Sequence, residues 1–403
     1  MTELAVLSLH SSPLAQPGTG DSGGMNVYVR ELAAALAQAG VETSVFVRRW
    51  ADDLPTEVSV EPGFRVVHID AGPTDLPKEA LADTVEAFTD GVARHLARRP
   101  VDVIHANYWL SGAAGHRLKH RLDLPLVSTF HTLARVKAET GDPEPSRRVD
   151  AETEVIGCSD VILANSVEEV AQLERLYGAD PSRIEIVPPG VEHAFFSPGD
   201  RRGARDALGL GDHPVLLFVG RIQPLKGLSV AVGALAALGR PDAELVVVGG
   251  PSGAEGEAEL ARVVAQADRL GVTDRIRFVP AQPHHLLSTY YRAADVVLVP
   301  SRSESFGLVA LEAAACGVPV VATAVGGLRT LVDHGRTGLL VHRREPEAFA
   351  SAVAQVLHDP AWAAALGAAA AERARGFTWS TAAARLRRVY GDLATRAPLD
   401  CAV

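Results

Sequence analysis

Cysteine is scarce. There are 3 in 403 residues, Cys158, Cys316 and Cys401, none in a CxxC pair and none in the spacing of a zinc module. The expectation is small core residues plus one thiol near the end of the chain, in a reducing, cytoplasmic compartment. Excess positive charge is missing too. A formal net charge of -10 excludes a general nucleic-acid binder, so any anion site must be built locally from a few placed Arg and Lys. Long apolar runs are absent. The longest covers residues 228–238, too short to span a bilayer. The start, Met1-Thr2-Glu3-Leu4, lacks the basic segment of a secretory leader. No short-period repeat or low-complexity segment stands out.

What is present is ordinary for a globular protein, with 47% hydrophobic and 22% charged residues. At roughly 150 residues per domain, this length predicts two domains, or at most three. Short apolar runs alternate with amphipathic stretches about seven times up to residue 187. The first run covers residues 5–9, and the helical pattern 25–39 and strand pattern 41–47 follow. Such alternation predicts a parallel sheet with helices on both faces. Pro188-Pro189-Gly190 and Phe195-Phe196-Ser197-Pro198-Gly199 punctuate the chain. A second series then begins, with strands expected at 215–219, 245–248, 276–279, 296–299, 320–322 and 339–341 and Ala-rich helices after them. The fold class read here is α/β, two doubly wound domains, 1–195 and 196–375, with a last helical segment at 376–403. Ligands are expected in a cleft outside the carboxyl ends of the strands.

Five stretches put chemistry at those ends. Gly18, Gly20 and Gly23 match GxGxxG, but several residues separate them from the first strand. No acid closes the second strand, Phe46-Val47-Arg48-Arg49, which argues against a dinucleotide. Gly23-Gly24, just before the helix beginning at Met25, suits a phosphate better, unless it is a plain surface loop. Gly220-Arg221-Ile222-Gln223-Pro224-Leu225-Lys226 supplies two cations that could hold a diphosphate and neutralise it as it departs. Glu304 and Glu312 flank Ser305-Phe306-Gly307-Leu308, the first on a loop and the second inside a helix. They fit either a glycosidase-like acid/base pair or, beside phosphate-binding groups, the recognition of sugar hydroxyls. His105-Ala106-Asn107-Tyr108-Trp109 and Thr129-Phe130-His131-Thr132 add polar groups in the first domain. Lys78, Lys137, Arg147 and Arg148 there are either separate surface bases or a site for a phosphorylated second substrate. His10, His105 and His131 have no metal-ligand spacing, so no metal site is expected.

With these motifs the chain resembles the retaining, nucleotide-sugar-dependent glycosyltransferases of the GT-B fold, family 4. The carriers are Gly23-Gly24-Met25-Asn26-Val27-Tyr28, Gly220-Arg221 with Lys226, and Glu304-Ser305-Phe306-Gly307 with Glu312. Within the family it is most similar to the branch acting on D-inositol 3-phosphate in mycothiol synthesis. That likeness runs through residues 12–21, 105–112 and 131–137, and sucrose-phosphate synthases share parts of it. The resemblance implies two Rossmann-like domains, with the last helix crossing back to the first. It implies transfer of N-acetylglucosamine from UDP-GlcNAc to 1D-myo-inositol 3-phosphate. Other nucleotide sugars or acceptors, and a non-catalytic sugar-nucleotide binding module, are the alternatives. Gly23, Gly24, Arg221 and Lys226 would hold the diphosphate. Glu304, with the backbone of Phe306, Gly307 and Leu308, would bind the transferred sugar, and Glu312 the ribose. His131 would lie by the reacting groups. His10, Asn26, Lys78, Tyr108, Thr132 and Arg148 would face the acceptor, with Arg147 a substitute for Arg148. No cofactor is implied, magnesium is not expected to act in the transfer, and a homodimer is compatible with this reading. The segment Ala138-Glu139-Thr140-Gly141-Asp142 is shorter than the family pattern and lacks its Asn, on the acceptor side.

Overall fold

The computed structural model describes residues 2–18, 22–253 and 255–401. Gly20 of the GxGxxG match therefore lies outside the described residues. The chain divides into two compact units. The first comprises residues 1–15, 25–188 and 379–403, the second 16–24 and 189–378.

In the first unit the elements run β1 (Glu3–Leu7), α1 (Gly24–Gln38), β2 (Glu42–Arg48), β3 (Glu57–Glu61), β4 (Phe64–Ile69), α2 (Val85–Leu96), β5 (Val103–Asn107), α3 (Tyr108–Leu122), β6 (Leu126–Thr129), α4 (Ala134–Glu139), α5 (Ser146–Cys158), β7 (Val161–Ala164), α6 (Val167–Tyr177) and β8 (Ile184–Ile186). The sheet order is β3-β4-β2-β1-β5-β6-β7-β8. Strand β1 shows why helices cover both faces. Leu4 and Val6 enter a core with Leu32 and Leu36 of α1, while Ala5 and Leu7 enter another with Phe88 and Val92 of α2. A strand buried on both faces reads as an unbroken apolar run.

The second unit contains α7 (Arg201–Leu208), β9 (Val215–Val219), α8 (Leu228–Ala237), β10 (Glu244–Val248), α9 (Gly256–Leu270), β11 (Ile276–Val279), α10 (Leu287–Ala293), β12 (Val296–Val299), α11 (Leu308–Ala315), β13 (Val320–Thr323), α12 (Leu328–Leu331), β14 (Gly338–Val341), α13 (Pro346–His358) and α14 (Pro360–Ala374). Its strands, all parallel, run β11-β10-β9-β12-β13-β14. Along β9, Val215 and Leu217 face one core and Leu216 and Phe218 the other. The last helix, α15 (Trp379–Leu393), belongs to the first unit. Its buried residues Trp379, Ala382, Ala383, Leu386, Tyr390 and Leu393 recur at helical spacing and join the core that holds α1. Among the described residues no helix is long and apolar enough to cross a membrane.

The structure corrects the sequence reading in four places. The units part at Pro188/Pro189, the first of the two breaks in the sequence, ahead of 195, and Val191 is already buried in the second unit's core. Residues 16–24 go with the second unit: the Gln16 amide donates to the Ala281 carbonyl at 3.0 Å, and a Cβ on Gly18 would stand 2.9 Å from the Ala281 Cβ. Strand β3, which the reading omits, is an antiparallel edge with charged ends, so it lacks the apolar signal. Finally, Cys158 is buried as expected, but Cys401 is not a separate thiol. Their Cα atoms lie 5.5 Å apart and their sulfurs meet. Cys316 remains buried and free, its thiol pushed up to about 12 by burial.

Helix α6 carries a pH-dependent element. Ser166 caps it by accepting from the Glu169 N–H, and the Glu169 carboxyl accepts the Asn165 N–H at 2.7 Å. Burial raises the Glu169 carboxyl to about 7, against the pull of the Asn165 bonds. Above its ordinary range the unfolded chain ionises while the folded one keeps its proton, so this contribution is full at low pH and fades as pH rises from 4.5 to about 7. The size is on the order of 3 kcal/mol. In urea unfolding, Glu169→Gln is expected to lose that part of the pH slope. An unchanged slope would show that Glu169 is ionised in the folded protein.

Candidate functional site

In the second unit the candidate groups gather at the carboxyl ends of β9 and β12. Beyond the strands, the Ile222 N–H donates to the Gly250 carbonyl at 2.8 Å, which continues the pairing and fixes the loop that carries Arg221. A short 3-10 turn, Pro224–Lys226, then leads into α8 through Gly227, at φ 75. The loop after β12 is fastened to this one. The Arg302 N–H donates to the Leu225 carbonyl at 2.8 Å, and Arg344 bridges the Pro300 and Pro224 carbonyls at 2.6 and 2.9 Å. The result is a bond between the two loops' charges: Lys226 Nζ lies 2.8 Å from Glu304 Oε2, which also accepts from Ser301 Oγ at 3.2 Å.

The Glu304–Gly307 turn rests on Gly326-Gly327, just past β13. The Gly327 N–H donates to the Glu304 carbonyl at 2.9 Å. A Cβ on Gly326 would stand 1.9 Å from that carbonyl oxygen, and Gly307 sits at φ 104, so each position needs glycine. This Gly326-Gly327 support was missed in the sequence; its signal was a Gly-Gly turn closing a strand. Phe306 is itself buried beside Phe377, ring centroids 5.8 Å apart, so only its backbone could serve a ligand. Gly23 and Gly24 come to the same place. A Cβ on Gly23 would be 3.1 Å from Arg221 Nε, and one on Gly24 would be 3.5 Å from Leu308 Cδ1.

Glu312, inside α11, has partners of its own. It is 5% exposed, with its oxygens held at 2.7 Å by His284 Nε2 and by the Tyr291 hydroxyl. Sequence reasoning named neither partner. Burial, with Glu312 alongside, raises the Tyr291 hydroxyl well above its ordinary range, so it stays a donor. An acid/base pair would need two carboxylates presented to one bond. Here one is salt-bridged and the other is committed to internal donors.

In the first unit the positions group around Arg148, which is 3% exposed. Its guanidinium donates to Glu152 at 2.7 Å, to the Thr132 carbonyl and hydroxyl at 2.9 and 3.0 Å and to the Tyr108 hydroxyl at 3.2 Å; Glu144 is a further ion-pair partner at 2.9 Å. Burial pulls the Arg148 pKa down, but Tyr108, Glu152 and Glu144 outweigh it and raise it overall. Arg147 points elsewhere, to Asp83 and to the Ala82 carbonyl, which ties α5 to the 3-10 segment Lys78–Thr84. Lys137 pairs with Glu144 and Asp142. Glu144 is thus a site residue the sequence reading passed over.

Two of the carboxyl-end residues hold strained backbones, Tyr108 at φ 75 and His131 at φ 60. Non-glycine residues in that region cost about 1–3 kcal/mol and cluster at functional sites. The His10 ring stacks on Tyr108 at 4.4 Å. Asn26 is 2% exposed: it accepts from Ser11 Oγ at 2.7 Å and donates to the Ser12 carbonyl at 2.6 Å, so it braces the loop after His10. His131 Nε2 lies 2.9 Å from Asn107 Oδ1, which fixes the tautomer with Nδ1 unprotonated. Burial, then the neighbouring His105, lowers the His131 imidazole to about 3. At neutral pH it offers polarity and a lone pair, not a cation. His105 bonds Thr129 Oγ1 and the Tyr390 hydroxyl, both at 2.8 Å, and is structural.

Comparisons with known proteins give the family. Residues 22–195 match the model described as Glycosyltransferase Family 4, and residues 200–373 match Glycosyl transferases group 1. The chain is 47% identical to the D-inositol 3-phosphate glycosyltransferase of Streptosporangium roseum, covering 97% of this chain and 93% of that one. It is 48% identical to the enzyme of the same name from Actinosynnema mirum, covering 97% of each. Among solved structures, sucrose-phosphate synthase from Thermosynechococcus elongatus superposes with a TM-score of 0.92 at 34% identity, over 98% of this chain and 99% of that one. Two parallel-sheet α/β units with these motifs and these relatives place the chain in the GT-B glycosyltransferases of family 4, the family that includes the D-inositol 3-phosphate glycosyltransferases.

Proposed function

We propose that this glycosyltransferase moves N-acetylglucosamine from UDP-GlcNAc to a hydroxyl of 1D-myo-inositol 3-phosphate with retention of configuration, the first step of mycothiol synthesis. The observation that carries the donor half is the Lys226–Glu304 bond at 2.8 Å, beside Arg221, Gly23 and Gly24. It joins a cationic, phosphate-binding group to a carboxylate able to accept sugar hydroxyls. The names of the relatives at 47–48% identity support the acceptor. In the reaction the bond from the sugar's anomeric carbon to the diphosphate breaks. A bond from that carbon to the acceptor oxygen forms on the same face, and the acceptor proton passes to the departing diphosphate. Arg221 and Lys226 would stabilise the charge that grows there, which leaves magnesium no required part. Glu304 and the backbone of residues 306–308 would hold the sugar, and Glu312, oriented by Tyr291 and His284, the ribose. Tyr108, Thr132, Arg148 and Lys78 would receive the acceptor phosphate.

The test is mass spectrometry of products from a mixed pool of UDP- and GDP-sugars with inositol 3-phosphate, free inositol and fructose 6-phosphate. The expected product is N-acetylglucosaminyl inositol phosphate, α-linked by its NMR coupling. A product from fructose 6-phosphate with none from inositol phosphate would replace the acceptor assignment. Tight UDP binding with no turnover for any acceptor would replace the enzyme with a binding module.

A further inference from the structure

A second constellation of chemistry-bearing side chains lies in the first unit, among residues to which the transfer reaction gives no task. Gly112, His116 and His120 follow one another at four-residue spacing along α3, on the face turned to α5. A Cβ on Gly112 would stand 3.1 Å from Val155 Cγ1, so the two helices pack closely there. One turn further along α5 comes Cys158, 3% exposed. The segment after α15 returns to the same point. The Leu399 N–H donates to the Asp160 carboxylate, itself paired with the buried Lys119 at 2.6 Å, and this sets Cys401 against the helices.

The four ligand atoms converge. His120 Nε2 is 3.0 Å from His116 Nε2, 3.4 Å from Cys158 Sγ and 3.5 Å from Cys401 Sγ, and all four atoms lie within 4.8 Å of one another. With zinc bond lengths of about 2.1 Å to nitrogen and 2.3 Å to sulfur, a tetrahedral ion sets its ligands roughly 3.4 to 3.8 Å apart, a spacing that the distances from His120 approach, while the two sulfurs stand closer and would have to part to take the ion between them. His116 Nδ1 faces Glu154 at 3.3 Å, the carboxylate contact that orients a ligating imidazole through its Nε2. A disulfide between the two sulfurs would need an oxidant and would leave both imidazole nitrogens aimed at it without use.

We infer that His116, His120, Cys158 and Cys401 form a four-coordinate zinc site that fastens the segment after the last helix to α3 and α5. Binding releases the two thiol protons, and two thiolates with two neutral imidazoles make the occupied site neutral. With all four positions taken by protein the site is structural, with no open position for catalysis.

The experiment uses the full-length protein purified under reducing conditions. Inductively coupled plasma mass spectrometry is expected to find one zinc per chain, and cobalt exchange to give the visible bands of a tetrahedral thiolate site. Cys401→Ser lies outside every helix and strand and should keep the circular dichroism of the parent while weakening cobalt binding by at least about 100-fold. Glu154→Gln should weaken it by roughly 10- to 100-fold, the usual effect of an outer partner. An intact mass two hydrogens light, with no zinc bound, would overturn the inference in favour of a disulfide. Undiminished cobalt binding by Cys401→Ser would overturn it as well.

Discussion

Lys226→Ala is expected to lower turnover by roughly 10- to 150-fold, the equivalent of one charge-assisted contact worth about 1.5–3 kcal/mol. The reason lies in where the charge is needed. A leaving diphosphate gains negative charge as the sugar bond breaks, and a fixed ammonium beside it stabilises that charge more in the transition state than before. Lys226 has little to do for the fold. Its ion pair with Glu304 joins side chains that are 24% and 17% exposed, and such partly solvated pairs contribute at most about 1 kcal/mol. The melting temperature should therefore hardly move while kcat falls. Steady-state kinetics and calorimetry on the same preparation separate the two. Glu304→Gln combined with Lys226→Ala completes a double-mutant cycle. Losses that simply add would mean that the pair is no functional unit. Unchanged turnover in Lys226→Ala would end the phosphate role altogether.

Arg148→Ala should have the other large effect, and on stability before activity. Its partner Glu152 is 0% exposed and also accepts the Ala134 N–H and the Tyr177 hydroxyl. Deleting the guanidinium leaves a buried carboxylate without its cation, a loss of about 3–5 kcal/mol. Thermal unfolding of the variant should begin roughly 10 °C lower. A raised acceptor KM in that variant would thus mix a damaged site with a damaged fold. Lys78→Ala is the cleaner probe. Lys78 is half-buried at the start of its 3-10 segment, and its loss should raise the acceptor KM about 10-fold or more. Arg148→Lys, which keeps a cation beside Glu152 but not the forked donor, should also raise that KM. If Lys78→Ala and Arg148→Lys both leave it unchanged, the acceptor's phosphate is held elsewhere or is not required.

Much of this could be read from the sequence, for local reasons. A strand buried on both faces must be an apolar run, and the six strands of the second unit stand where those runs stand. Gly-Arg and Lys at the end of one such run, and Glu-x-Phe-Gly at the end of another, must fall on the loops at the sheet's carboxyl edge, because a parallel sheet turns there into its helices. The family followed from those motifs. The sequence could not supply pairings made across long separations. Lys226 and Glu304 are 78 positions apart, and only the interlocked loops put their charges at 2.8 Å. Glu312 reads as a free carboxylate on a helix until His284 and Tyr291 close on it. Arg148 and Arg147 are neighbours in sequence, but one helical step turns the first into the buried Glu152 and the second out to Asp83. The three cysteines, so uninformative in isolation, show the same limit. Composition determined that they could not form a zinc module of contiguous ligands. The return of residues 399–401 to α3 and α5, held by Asp160 and by a last helix that buries its apolar stripe in the first unit, decided which side chains Cys158 and Cys401 meet, while Cys316 stays alone in the second unit's core.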